Sequence, residues 1–295
     1  MALLDALPDA APVTAIQRIP RGWGNESFVV ATAMGTLVAK VALATTPAEK
    51  YRASAGALSL ARSAGVSAPE LLAFVDSVGS LDGRMLRVFR YLAGDTPQIE
   101  TAPLPLYFEL GATLRRLHSV EVSSFTSRLG TEGFPRWSQF LDHRWQAVLD
   151  RASQAEFDVD LVVRAHTESV ALSNAVDDVV APALCHRDLY LDNVLVDEAG
   201  SLVALLDFDN VEVWDPVVDF FKLEWFVFEP NPAAREPFLD GYLAGDPMPT
   251  MFDERVRLVS IVELLNHAAN WHVQGQPEIA AEALGRLRAL VADVA

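Results

Sequence analysis

Two neighbouring stretches hold the side chains that could act together. His186-Arg187-Asp188-Leu189-Tyr190-Leu191-Asp192-Asn193 reads H-R-D-L-x-x-x-N, and Leu205-Leu206-Asp207-Phe208-Asp209 is an apolar strand ending in Asp. A carboxylate and a carboxamide, Asp207 and Asn193, suit Mg²⁺, a hard cation that takes a few oxygen ligands and keeps water on the rest. Asp188 lies five residues before Asn193, where it would accept a hydrogen bond from a substrate hydroxyl and take its proton late in the reaction. His186 is expected to brace this catalytic loop by hydrogen bonding. The chemistry such parts suit is phosphoryl transfer. It needs charge neutralised on the phosphates and a nucleophile held in line, and little covalent help.

Upstream lie residues that could hold the phosphates. Lys40 sits in the apolar run Leu37–Leu43, where a lysine needs a partner. A phosphate pair is one such partner; an edge-strand position facing solvent is the other reading. Gly22-Trp23-Gly24-Asn25-Glu26-Ser27 lies between strands, and there Gly24, Asn25 and Ser27 could let backbone N–H groups approach phosphates.

The elements that must position these groups change character along the chain. Val13–Ile19, Ser27–Thr32 and Leu37–Leu43 read as strands, the last two joined by Ala33-Met34-Gly35-Thr36. Thr46-Pro47-Ala48-Glu49 predicts a helix start with Thr46 as N-cap and Glu49 completing a capping box, and Gly65 predicts its end. Leu71–Val75 and Arg84–Tyr91 predict two more strands. The breakers of Leu92–Pro97 suggest a boundary, with a nucleotide-binding lobe over 1–93 and a helical lobe with the substrate site over 94–295. Leu106, Leu110, Leu114 and Leu117, then Trp137, Phe140, Leu141, Trp145, Val148 and Leu149, recur at helical spacing. Val194–Val196 and Leu202–Leu206 predict a hairpin that brings Asn193 and Asp207 to one end. Simple register sets Asn193 opposite Ala204, with Asp207 about 10 Å further on.

Composition narrows the partners. The net charge of -17 argues against nucleic acid or an anionic membrane surface. Residues 1–93 hold 7 acidic and 9 basic side chains, while residues 94–295 hold 33 and 14. That split suits an anionic ligand on one side and a cationic one on the other. Cys185 is the only cysteine, the start of the chain lacks a basic n-region, and no apolar run reaches membrane-spanning length, so a cytoplasmic location is expected. Lysine is scarce, at Lys40, Lys50 and Lys222 only, against 20 arginines.

The ordered set of glycine-bearing loop, strand lysine, H-R-D-L-x-x-x-N and strand-ending Asp resembles the protein-kinase-like fold. More closely it resembles the aminoglycoside phosphotransferase and choline kinase-like family. Gly24-Asn25-Glu26-Ser27-Phe28 is similar to that family's nucleotide loop, Leu114-Arg115-Arg116-Leu117-His118 to its helix ending in Leu-His, and Asp215-Pro216-Val217-Val218-Asp219 to its Asp-Pro-x-x-Asp signature. The resemblance covers residues 13 to about 225. It implies an α+β, bilobal fold with a β-rich N-lobe carrying one helix. It implies Asp188 as catalytic base, Asn193 and Asp207 as magnesium ligands, and Lys40 on the α/β-phosphates of ATP or GTP. It also implies a hinge at Phe89-Arg90-Tyr91-Leu92 whose backbone meets the purine, and structural roles for Asp215 and Asp219. Two departures stand out. The helix acid that kinase-like folds pair with the strand lysine is expected near Ser54, where there is none, so either Glu49 serves or Lys40 lacks that partner. And Arg187 stands where the family commonly has Gly.

The absence of Ala-Pro-Glu after Asp207 disfavours a protein substrate. The expected acceptor is a small-molecule hydroxyl, foremost a cationic antibiotic drawn by the acidic lobe, with Asp209, Glu212, Glu229, Glu263, His267 and Trp271 as candidate contacts. Glu263, His267 and Trp271 share one helix face. A metabolic amino alcohol such as choline or homoserine, a macrolide or nucleoside antibiotic stacked on the aromatic group Trp214 to Phe228, and a binding protein that has lost catalysis are the alternatives.

Overall fold

The computed structural model describes residues 12–20 and 25–292. Its first part is one antiparallel sheet in the order β1-β2-β3-β5-β4, with β1 Val13–Ile19, β2 Asn25–Thr32, β3 Gly35–Ala42, β4 Leu71–Val78 and β5 Arg84–Arg90. Alternation sets the two faces. Val30, Ala39, Val41, Val78, Leu86 and Val88 bury one face as a small core. On the opposite face, register aligns Ser27 with Lys40 and Lys40 with Arg87, a polar row across three strands.

Helix α1, Ala48–Ser63, covers that polar face. It starts without the expected capping box: Pro47, not Thr46, is the N-cap, and no side chain caps it. The N–H of Thr46 is instead used in a turn onto Leu43 O (3.0 Å), which leaves Thr46 outside the helix start. Tyr51 of α1 donates its hydroxyl to Lys40 O (2.8 Å) and fixes the helix against β3.

The rest is mostly helical: α2 Leu104–His118, α3 Trp137–Gln154, α4 Val159–Val176, α5 Val218–Leu223, α6 Arg235–Leu243, α7 Phe252–Val273 and α8 Pro277–Ala292. The periodic leucines of α2 and the aromatics of α3 are buried in one large core, where Trp137, Phe140 and Trp214 meet edge to face or tilted. Helices α2 and α6 pack closely through reciprocal glycines. A Cβ on Gly111 would lie 2.1 Å from Phe238 O, and one on Gly241 would lie 2.0 Å from Phe108 O. Gly111→Ala must therefore push the helices apart and is expected to lower the unfolding free energy by about 1–3 kcal/mol, read as an earlier urea midpoint at unchanged m.

Short strands carry the site. β6 (Ala183–Cys185) pairs with β9 (Glu212–Trp214), and β7 (Val194–Val196) with β8 (Leu202–Leu205). The hairpin register differs from the simple one. Val194 pairs with Leu205, a bulge intervenes between Leu195 and Val196, and Leu206 N donates to Asn193 O (2.8 Å). The connection puts Val196 opposite Leu202 and not Ser201, and the bulge takes up one more residue; together they set Asp207 next to the residue facing Asn193, instead of about 10 Å beyond it. Before this hairpin, the chain leaving β5 is stitched to it. Asp95 N donates to Val196 O (2.9 Å) and Val196 N to Asp95 O (2.9 Å). Gly94 (φ 151°) permits the approach, since a Cβ there would lie 2.5 Å from Val196 O.

Candidate active site

Strand β6 ends at Cys185, and the loop that follows is held from below by one carboxylate. Asp219 of α5 accepts from His186 N (2.8 Å), from Arg187 N (2.5 Å) and from His118 Nε2 (2.9 Å), whose Nδ1 meets Tyr242 Oη (2.9 Å). Burial alone would raise the Asp219 carboxyl, but the bond from His118 and its neighbours hold it below the usual range. The Leu-His end of α2 and the second Asp of Asp-Pro-x-x-Asp are thus two halves of one clamp. His186 is fully buried and donates Nε2–H to Leu206 O (2.8 Å), so it ties the loop to the end of β8. Arg187 adopts φ 60°, which explains why glycine suits this position. It is held there by Glu212 (2.6 Å), Glu263 (2.6 Å) and the Trp214 ring (4.1 Å to the centroid).

Asp188 projects from this loop toward α5. Its Oδ1 is ion-paired with Lys222 Nζ, and its Oδ2 accepts from Asn210 Nδ2 (3.2 Å). Asn193 donates Nδ2 to Asp188 O (2.7 Å), which orients the carboxamide and turns its oxygen the other way. Asp207 (φ 58°) meets Lys40 Nζ at 3.2 Å. Burial works against the Lys40 charge, yet Asp207 and Asp209 hold the ammonium above its usual range. Burial, with Asp209 and Asp188 nearby, pushes the Asp207 carboxyl up despite Lys40. A part-buried carboxylate with Asp188 and Asp209 as well as Lys40 around it, beside an oriented carboxamide, fits a divalent cation.

The missing helix acid is replaced from the other direction. Glu49 pairs with Arg128 (3.2 Å) and not with Lys40. Ser54, at the position where the acid is expected, donates its hydroxyl to Asp209 (2.8 Å). Asp209 also accepts from buried Arg87 (2.6 Å) and from Asn25 Nδ2 (2.5 Å). Burial would raise the Asp209 carboxyl, but Lys40 and Arg87 hold it far below the ordinary range. The Arg87 guanidinium lies over the Tyr51 ring, 3.7 Å from its centroid. So the carboxylate that balances Lys40 and Arg87 comes from the turn after β8, not from α1.

A family model described as the phosphotransferase enzyme family matches residues 15–254. The chain belongs to the phosphotransferase enzyme family. Among solved structures, the apo form of a thermostable mutant of aminoglycoside phosphotransferase APH(4)-Ia is similar, with a TM-score of 0.73 and 19% identity over 99% of this chain and 98% of that one. A ternary complex of another such mutant with AMP-PNP and hygromycin B gives 0.72 and 19%, over 98% and 96%. The GDP and kanamycin complex of APH(2")-IIia gives 0.71 and 16%, over 100% and 98%. At these identities the likeness is one of fold, and the fold is protein-kinase-like. No curated protein matches the chain. Family membership makes this a small-molecule kinase.

Within this phosphotransferase the other sequence candidates separate into groups. Gly24 lies outside the described residues. Ser27 is buried beside Lys40, Arg90 pairs with Glu70 (2.6 Å), and Tyr91 and Leu92 follow β5 toward Gly94. Glu212 and Glu263 converge on Arg187 beneath the loop. Glu229 pairs with Arg286 (2.7 and 2.9 Å), away from that cluster. His267 and Trp271 form an aromatic wall with Trp225 and Phe226, which stack at 4.7 Å with a half-exposed Phe226 edge toward Tyr190 (6.0 Å). The wall rests on a π-helical turn, Glu224–Phe228, that follows α5. Among the described residues no helix is long and apolar enough to cross a membrane.

Arg87 and Asn210 escaped the sequence reading; position marks Ser54 and the scarcity of lysine marks Lys222, but neither signal gives a role in the site. For Arg87 a signal existed: it sits in an apolar strand, Met85-Leu86-Arg87-Val88-Phe89, as Lys40 does.

His267 titrates abnormally. Trp271 Nε1, which can only donate, bonds to His267 Nε2 (2.6 Å), so that nitrogen is unprotonated. Burial, helped by Lys222, lowers the imidazole to about 4. A folded value below the unfolded one, about 6.5, gives stability that is present above pH 6.5 and lost as the pH falls toward 4. His267→Gln is expected to remove about 2–3 kcal/mol of this loss, seen as convergence of wild-type and variant urea curves between pH 7 and pH 4.

Proposed function

We propose that this kinase transfers the γ-phosphoryl group of ATP or GTP to a hydroxyl of a small molecule, an antibiotic foremost, and so serves as a resistance kinase. The observation that carries the reading is the arrangement of Asp188 and Asn193 on one clamped loop beside Asp207, with Lys40 reaching Asp207 from the sheet. Asn193 and Asp207 would hold Mg²⁺. When bound, the cation supplies neutralising charge to the phosphates. Lys40 sits where it can meet phosphate oxygens from the sheet side. Asp188 accepts the hydrogen bond of the acceptor hydroxyl, aligns it and takes its proton. His186 and Asp219 keep the loop in place and touch no reactant. The hinge after β5 offers backbone groups to the base.

The acceptor side supports two readings. The 94–295 region has 33 acids against 14 bases, and the hygromycin B and kanamycin complexes of similar folds favour a polycation. Against that, Glu212, Glu229 and Glu263 already pair with arginines, and Tyr190, two residues after Asp188, faces the half-exposed Phe226 (6.0 Å). That favours an acceptor with an apolar or flat face, such as a macrolide or nucleoside. A phosphorylation screen across aminoglycosides, macrolides, peptide antibiotics, nucleosides and amino alcohols decides between them. Turnover of amino alcohols alone would make this a metabolic kinase. A cytoplasmic location, where nucleoside triphosphates are at hand, belongs to the same proposal.

A further inference from the structure

We propose that Lys222 is a second catalytic cation, one that contacts the γ-phosphoryl group from the acceptor side during transfer. The inference rests on the phosphotransferase reading above. Lys222 Nζ is ion-paired with Asp188 Oδ1, and both side chains are largely buried. The ammonium lies 5.4 Å from the centroid of Tyr190, two residues after Asp188 on the same loop. Its position is fixed by the helix that carries it. Asp219, one turn earlier on α5, grips the backbone of His186 and Arg187, so α5 and the catalytic loop form one unit. Glu263 and His267 of α7 face the same ammonium, and each carries its electrostatic imprint.

The electrostatics of the site call for such a group. Asp188 must stand within hydrogen-bond reach of a hydroxyl that is itself closing on a γ-phosphate, so carboxylate and phosphate approach with like charge. Lys40 approaches from the far side, beside Asp207, and leaves the acceptor side without its charge. Among the described residues, the cation paired with Asp188 is Lys222. The choice of side chain fits the task. In a chain with 20 arginines and 3 lysines, a guanidinium here would bind the carboxylate with both prongs of its fork. An ammonium has three donors, one for Asp188 and two for oxygens of a second anion. In the step itself the acceptor oxygen bonds to the γ-phosphorus, and the bond from that phosphorus to the β,γ-bridging oxygen breaks. Its electron pair stays on the nucleoside diphosphate. The acceptor proton passes to Asp188, while Lys222 transfers no proton and donates hydrogen bonds to the equatorial oxygens.

The experiment uses the full chain with Mg²⁺ and γ-labelled ATP, water serving as acceptor, so no acceptor need be known. Lys222→Cys is expected to lower kcat by about 10²-fold, as loss of one transition-state donor does, with KM for ATP within about threefold of wild type. Treatment with 2-bromoethylamine then rebuilds an ammonium of nearly the same length and is expected to return kcat to within about tenfold of wild type. The native Cys185 is buried, and burial pushes its thiol well up, so the reagent reaches the new thiol alone. Turnover by untreated Lys222→Cys at the wild-type rate, or no recovery after alkylation, overturns the inference. Two wild-type failures, no thermal shift with Mg·ADP and no hydrolysis, would instead remove the phosphotransferase reading beneath it.

Discussion

Asp188→Ala is expected to lower phosphoryl transfer by about 10²–10⁴-fold while the protein still binds Mg·ADP. The carboxylate is held at both oxygens, by Lys222 and by Asn210, so it is aimed and cannot swing away. Removing it takes the acceptor's hydrogen-bond partner and proton sink together. It leaves the other side of the site intact, because Asn193 bonds to the backbone oxygen of residue 188 and not to its side chain. Asp207 and Lys40 keep their own pair. Asp207→Ala should differ: it strips the carboxylate proposed to hold Mg²⁺ and leaves Lys40 facing Asp209 alone, so Mg·ADP binding is expected to fall as well as turnover. Single-turnover assays with labelled ATP, paired with calorimetric titration of Mg·ADP, separate the two. Near-normal turnover in Asp188→Ala would end the mechanism.

The second large effect is on stability. Asp215→Ala is expected to cost about 3–5 kcal/mol, because it strands a buried guanidinium. Asp215 is fully buried and receives Arg255 from the first turn of α7 through Nε (3.0 Å) and Nη2 (2.6 Å). Its Oδ1 also accepts from Val217 N (3.1 Å), at the entry to α5. For a chain of this size the loss corresponds to roughly 5–8 °C in Tm. The double replacement Asp215→Leu with Arg255→Met should regain much of it, since an apolar pair avoids the desolvation of two charges. If the double variant is as unstable as the single one, the backbone cap at Val217 matters more than the ion pair. Either way the effect is on the base of α5, the helix that supplies Asp219 and Lys222.

Local pattern carried the sheet strands, α1, the hairpin and the order of chemical groups, because periodicity, breakers and motif spacing are local properties. It did not carry what depends on distant pairing. Arg87 and Asp209 are 122 residues apart, and Ser54 and Asp209 are 155 apart. Nothing in either neighbourhood announces the partner. The same blindness made Glu212, Glu229 and Glu263 look like acids waiting for a cationic substrate, when each is opposite an arginine brought in from elsewhere in the fold. The hairpin register was missed for a smaller reason: the connection and one bulge residue each shift the pairing by one, and no composition signal marks either.

The stitch between Asp95 and Val196 decides which parts travel together when the cleft breathes. It shortens the free tether to the few residues between Arg90 and Gly94, and it anchors the outgoing end of that tether to the strand that begins just after Asn193. Swinging the sheet outward thus leaves Asn193, Asp207 and Asp209 behind as a stationary jaw. At this corner the polar contacts from Asn25, Lys40, Ser54 and Arg87 fall on two aspartates, while Lys50–Asn210 (3.0 Å), Glu49–Arg128 (3.2 Å) and Leu205 N–Ser67 O (2.8 Å) tie the same parts elsewhere. The densest part of the latch is thus one corner, opposite the pivot, and any opening of the cleft must break it.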